Sequence, residues 1–141
     1  MERFIEAQQT KYATYATALS EIRSGLKTTH WIWYIFPQIQ GLGYSHMTRT
    51  YAIKDINEAK QYLNDEILGP RLREITSALL AVEGRSALEI LGDPDDKKVR
   101  SCMTLFDFIS PNDIFEQVLI KYYNGTRCSR TIKTLTLSVN K

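Results

Sequence analysis

Apolar residues recur along this chain at three- and four-residue steps, the period of an amphipathic helix, and the segments they mark are punctuated by glycines and prolines where helix ends belong. From Glu2 to Ser24, Phe4, Ile5, Tyr12, Tyr15, Leu19 and Ile22 form one stripe, which predicts a single long helix stopped by a left-handed Gly25. Asp55 stands three residues before Glu58, a capping-box spacing, and Ile56, Ala59 and Leu63 predict a helix from Asp55 to Asn64. Pro70 opens the next, with Leu72, Ile75, Leu79 and Val82 inward and Gly84 as its end. Ser86 and Glu89 repeat the capping box before a short helix closed by Gly92. Asp93-Pro94-Asp95-Asp96 supplies a cap, a first-turn proline and two acids against the positive end of a helix dipole. Val99, Cys102, Met103 and Phe106 then give that helix its buried stripe. Ser110-Pro111 begins another, with Ile114, Phe115, Val118, Leu119 and Tyr122 inward and Gly125 at its end.

Two stretches read less cleanly. His30 to Phe36 is aromatic and β-branched, the composition of a strand. With no second strand to pair with, it is expected to be a buried helix ended by Pro37. Arg127 to Lys141 reads as a short amphipathic or fraying tail anchored by Ile132 and Leu135. The expected fold is all-α: a compact single-domain bundle over residues 1–141, of about six to eight helices around a central one, with 126–141 as its tail.

At 141 residues the chain suits one core, and its proportions of apolar and charged residues are those of a globular protein. The first residues lack a basic stretch leading into an apolar core, and the longest apolar run, Trp31 to Phe36, is too short to span a bilayer. A cytoplasmic, membrane-free protein is expected. Cys102 and Cys128 are too few for a disulfide framework and are expected to be reduced thiols, Cys102 as a core residue. A net charge of +2 is too small to suggest nucleic acid as partner. Its distribution is uneven, however. No carboxylate lies between Glu21 and Asp55, where Arg23, Lys27, Arg49 and Lys54 fall, and none follows Glu116, where Lys121, Arg127, Arg130, Lys133 and Lys141 do. Lys97, Lys98 and Arg100, following three acids, read as a solvated helix face.

Candidate chemistry concentrates between Thr28 and Tyr51. Gly41-Leu42-Gly43-Tyr44-Ser45 looks like a turn delivering Ser45 as a helix cap, leaving N–H groups to face an anion, with Arg49 adding charge one turn on. Trp31 and Trp33 would stack on a ring, Gln38 would read a polar edge, and Gly41, Gly43 and Tyr51 complete the expected ligand site. A packed corner explains the same tryptophans and glycines. His30 and Asp107 are the candidate proton carriers: Asp107 lies among apolar neighbours that would raise its pKa, and Arg100, seven residues earlier, offers a structural pair instead. His30 and His46 lack a third ligand of suitable type nearby, so no metal is expected, and no motif calls for a cofactor.

Trp31-Ile32-Trp33-Tyr34-Ile35-Phe36-Pro37-Gln38 followed by Gly41-Leu42-Gly43-Tyr44-Ser45 resembles a bacterial domain-of-unknown-function family whose members often carry the automatic label "calpastatin". Arg3-Phe4 with Ala7-Gln8, Leu68-Gly69 with Arg71-Leu72, Ile90-Leu91-Gly92 with Pro94-Asp95-Asp96 and Lys98, and Met103-Thr104-Leu105-Phe106 look like further blocks of it, so the resemblance runs from Arg3 to about Leu135. It implies a compact all-α fold and brings no established reaction or catalytic residues. The label itself does not suit the chain, because a calpain inhibitor is long, repetitive and disordered, whereas this sequence is periodic and capped. A looser similarity of size and helical character to the NAD- and ADP-ribose-associated superfamily turns the expected ligand toward nucleotides or ADP-ribose. The expectation is therefore a cytoplasmic domain, monomer or homodimer, that binds, or binds and hydrolyses, a phosphorylated nucleotide-like molecule. The alternative is a protein-interaction or regulatory module gripping an acidic partner through exposed aromatics and the basic tail, Arg127, Arg130 and Lys133.

Overall fold

The computed structural model describes residues 1–139, and the tail residue Lys141 lies outside them. Ten helices are present among the described residues: α1 (Glu2–Thr10), α2 (Tyr15–Ser24), α3 (Ile32–Ile35), α4 (His46–Tyr51), α5 (Ile56–Asn64), α6 (Leu68–Ala81), α7 (Ala87–Leu91), α8 (Asp95–Ile109), α9 (Ile114–Tyr123) and α10 (Ser129–Val139). The all-α expectation holds, and so does the helical reading of His30 to Phe36, although only Ile32–Ile35 is helical. Extended pairing among the described residues is a single parallel bridge between Ile39 and Ile53. It is held by Ile53 N–H donating to the Gln38 carbonyl at 2.7 Å and Gln40 N–H donating to the Ile53 carbonyl at 2.8 Å.

The helix count exceeds expectation chiefly because the long first helix is two. α1 ends at Lys11 in extended backbone, and the Thr14 hydroxyl caps α2 by accepting from Thr17 N–H. The break lets Ala13 enter the core, where its carbonyl accepts the Tyr34 hydroxyl at 2.5 Å. Tyr12, placed by the 3.6-residue period on the buried stripe, is instead 96% exposed. Local periodicity could not register that tertiary bond. Gly25 stops α2 as expected, at φ +81°.

α8 runs through the middle of the molecule, with Ser101 to Asp107 buried without interruption. It packs against α3, α5, α7, α9 and α10. Phe106 lies between Tyr62 and Phe115, at ring separations of 5.6 and 5.7 Å, and Phe4 meets Tyr62 edge-on at 5.0 Å. The buried Gln8 amide joins these layers, donating to the Tyr34 carbonyl at 2.8 Å and the Tyr62 hydroxyl at 3.2 Å while accepting from Arg71.

Helix starts shift where side chains outcompete the simplest cap. α6 begins two residues before Pro70, because the Asp65 carboxylate accepts from Ile67 and Leu68 N–H, each at 2.9 Å. α9 starts at Ile114, capped by Asp113, which also holds Arg73 at 2.8 Å. The Ser86–Glu89 box closes in both directions. At α8, Asp93 does not cap; it pairs with Lys97 at 3.0 Å, while Asp95 pairs with Lys27 at 2.8 Å.

Candidate functional site

The expected ligand segment divides into a buried half and an open half. Trp31 is wholly buried. Its indole N–H donates to Glu21 at 3.0 Å, the same oxygen accepts from Thr28 and Thr29 N–H, and the other oxygen takes the Thr29 hydroxyl at 2.6 Å. Burial works to raise the Glu21 pKa, but these bonds outweigh it and bring the carboxyl down to about 2. Lys27 rides over the Trp31 ring at 4.8 Å and is neutralised by Asp95. Trp31 is therefore a core residue and is unavailable for stacking. Tyr51 is also buried, packed on Phe4 and Tyr34. Tyr51, Trp33, Gln38 and Thr48 enclose a crevice of about 10 Å³, room for one water at most.

Other expected roles change as well. Ser45 caps α4, accepting from Thr48 N–H at 3.1 Å, but α4 has only six residues and this N–H is already used. Arg49 and His30 are exposed and stand outside the cleft that Gln38, Gly43 and Thr48 line. Asp107 pairs not with Arg100 but with Arg127, at 2.9 Å, and Arg127 also reaches Glu116 at 3.0 Å. That arrangement ties Arg127 into the structure and holds Asp107 through one oxygen, while its other oxygen is buried without a hydrogen-bond partner among the described residues.

The open half faces a cleft of about 330 Å³ between the glycine turn, α8 and the start of α10. Gln38, Gly43 and Thr48 form one wall. Lys97, Lys98 and Arg100 of α8 and Arg130 of α10 line the cleft too, and no carboxylate does so among the described residues. Lys98 sits over the half-buried Trp33 ring at 5.6 Å. Arg100 and Lys98 have no carboxylate partner among the described residues, and Arg100 Nε–H is sealed from solvent without an acceptor. Arg130 donates to the carbonyls of Gly41 at 3.2 Å and Leu42 at 3.5 Å, so the second acid-free segment clasps the turn of the first. Gly43 lies close to Thr48: a Cβ there would stand 3.0 Å from the Thr48 methyl, which would have to give way slightly.

At the floor lies Cys128, just before α10. Ser101 donates to its sulfur at 3.3 Å, and its N–H donates to Thr104 at 3.0 Å. Burial tends to raise its pKa, but the bonds from Ser101, Thr131 and the first N–H groups of α10 prevail and lower it. Sequence reading assigned Lys97, Lys98 and Arg100 to a solvated face and Cys128 to the tail. The usable signal was the pair of acid-free segments, which carried no information on where they meet.

The fold and cleft define a class: a small all-helical protein with a cationic cleft, lined by no carboxylate among the described residues, at the junction of its central and last helices. Residues 1–135 match the family described as "Protein of unknown function (DUF1810)", and the chain belongs to that family. It is similar to the crystal structure of the conserved hypothetical protein Rv1873 from Mycobacterium tuberculosis, at 43% identity and a TM-score of 0.91 over 96% of this chain and 95% of that one. No curated protein matches it. Among the described residues no helix is long and apolar enough to cross a membrane.

Proposed function

We propose that this chain acts as one domain that binds a small phosphorylated ligand, nucleotide-like or ADP-ribose-like, in the cleft between the glycine turn, α8 and α10. The observation that carries this reading is the convergence of Lys98, Arg100 and Arg130 on one concavity without a lining carboxylate among the described residues. Unpaired cations held close together repel one another, and an anion relieves the repulsion. A volume of about 330 Å³ falls at the lower end of small-molecule sites. Gln38 and Thr48 supply neutral donors and acceptors, and Leu42 supplies apolar surface, whereas Trp31, Trp33, Ser45, Arg49 and Tyr51 leave the site. Binding is the reading proposed, without hydrolysis, since neither His30 nor Asp107 lines the cleft.

The interaction-module alternative loses support from one of its residues, because Arg127 is spent on Asp107 and Glu116. Calorimetric titration with ADP-ribose, ADP and adenosine tests the proposal. The phosphorylated ligands should bind and adenosine should not, with Lys98→Ala weakening binding about tenfold, as for one lost charge-assisted contact. No heat with either phosphorylated ligand at millimolar concentration, or equal binding of adenosine, would overturn it.

A further inference from the structure

Cys128 is the one thiol lining the cationic cleft among the described residues, and three features of its setting set it apart from an inert structural thiol. It is partly exposed, whereas Cys102 is wholly buried and its thiol is pushed far up by that burial. It is fixed in place, with its N–H held by Thr104 and its sulfur by Ser101, both on the rigid central helix. Arg100 Nε–H, on the wall of the same cleft, is sealed from solvent without an acceptor. A buried donor without an acceptor is rare in folded proteins, and one lining the same cleft as a partly exposed sulfur marks a place where an incoming polar group is stabilised.

We propose that Cys128 is a reactive thiol that forms mixed disulfides with small carboxylate-bearing disulfides, whose anionic tails are held by Lys98, Arg100 and Arg130. The Cys128 thiol gives its proton to water and the thiolate attacks one sulfur of the incoming disulfide; a new S–S bond forms, the old one breaks, and the departing thiolate takes a proton back from water. Cys128 is oxidised and half of the small disulfide is reduced, so no further oxidant enters. The lowered pKa of Cys128 adds to the thiolate fraction at neutral pH. The inference rests on the same cleft as the ligand reading and gives it a covalent, redox-sensitive occupant.

Oxidised glutathione, with anionic tails, and cystamine, a cationic disulfide, are the probes. Each is incubated with the native protein at pH 7, and adducts are followed by intact mass and peptide mapping. The expected result is an adduct at Cys128 and none at Cys102. The glutathione-to-cystamine rate ratio should exceed that of a free small thiol by about tenfold, the lower end of electrostatic focusing in a charged cleft. Lys98→Ala with Arg130→Ala should return the ratio to the small-thiol value. Should that variant not fold, raising the salt on the unmutated protein collapses the same ratio. An unmodified Cys128, or a ratio equal to that of the small thiol, overturns the proposal. Nucleotide binding with an inert Cys128 overturns this inference alone; selective modification without nucleotide binding overturns the ligand reading alone.

Discussion

Replacing Glu21 tests whether the acid at the edge of the carboxylate-free segment is what anchors Trp31. One carboxylate accepts from two backbone N–H groups, the Thr29 hydroxyl and the Trp31 indole. Its fall from an ordinary 4.5 to about 2 corresponds to roughly 3 kcal/mol at 1.36 kcal/mol per unit. Glu21 is only partly buried, and solvent screening reduces this to about 1–2 kcal/mol. Glu21→Gln loses that charge-dependent part. Glu21→Ala also leaves the N–H of a wholly buried indole without an acceptor, which adds about 1–3 kcal/mol. The expected losses are therefore about 1–2 kcal/mol for Gln and about 3–4 kcal/mol for Ala, or roughly 5 and 10 °C in Tm for a chain of this size. The pH dependence carries the sharper test. A depressed carboxyl stabilises fully above its unfolded pKa, near 4.5, and loses that contribution as pH falls toward 2. Urea unfolding at pH 7, 4.5 and 3 should thus show the gap between unmutated protein and Glu21→Gln shrinking below pH 4.5. A Glu21→Ala protein within about 0.5 kcal/mol of the unmutated one, ordinary for a neutral surface change, would refute the reasoning.

Gly69→Ala should destabilise by about 3 kcal/mol in urea unfolding, because the added Cβ would lie 2.1 Å from the Leu63 carbonyl oxygen and force the start of α6 away from α5. Lys27→Ala should cost about 3 kcal/mol, since it strands Asp95 and uncovers Trp31; a loss below about 1 kcal/mol would show that the pair behaves as a surface ion pair. Iodoacetamide should alkylate Cys128 with a pH midpoint below the usual thiol range, because its hydrogen bonds favour the thiolate, while Cys102 stays unlabelled until the protein unfolds. Labelling of both at one rate in the native state would contradict the burial on which that contrast rests.

Helix content and most helix ends were legible in the sequence because their causes are local. A Ser86 hydroxyl three residues before Glu89, or a glycine after an apolar stripe, acts through bonds that span a turn or less. The division at Lys11–Thr14 was not legible, for it depends on Tyr34 reaching Ala13 across the core. The same limit applied to the site. The two acid-free segments could be read from charge order alone, and so could Ser45 as a cap. Which tryptophan was sealed, that Asp95 of α8 would neutralise Lys27, and that Arg130 would close on the Gly41 carbonyl depended on contacts between residues far apart in sequence. Periodicity fixes the face a helix turns inward. Only the packing of helices against one another decides which of the remaining charges are left without a partner, and that residue of uncompensated charge is what forms the cleft around Cys128.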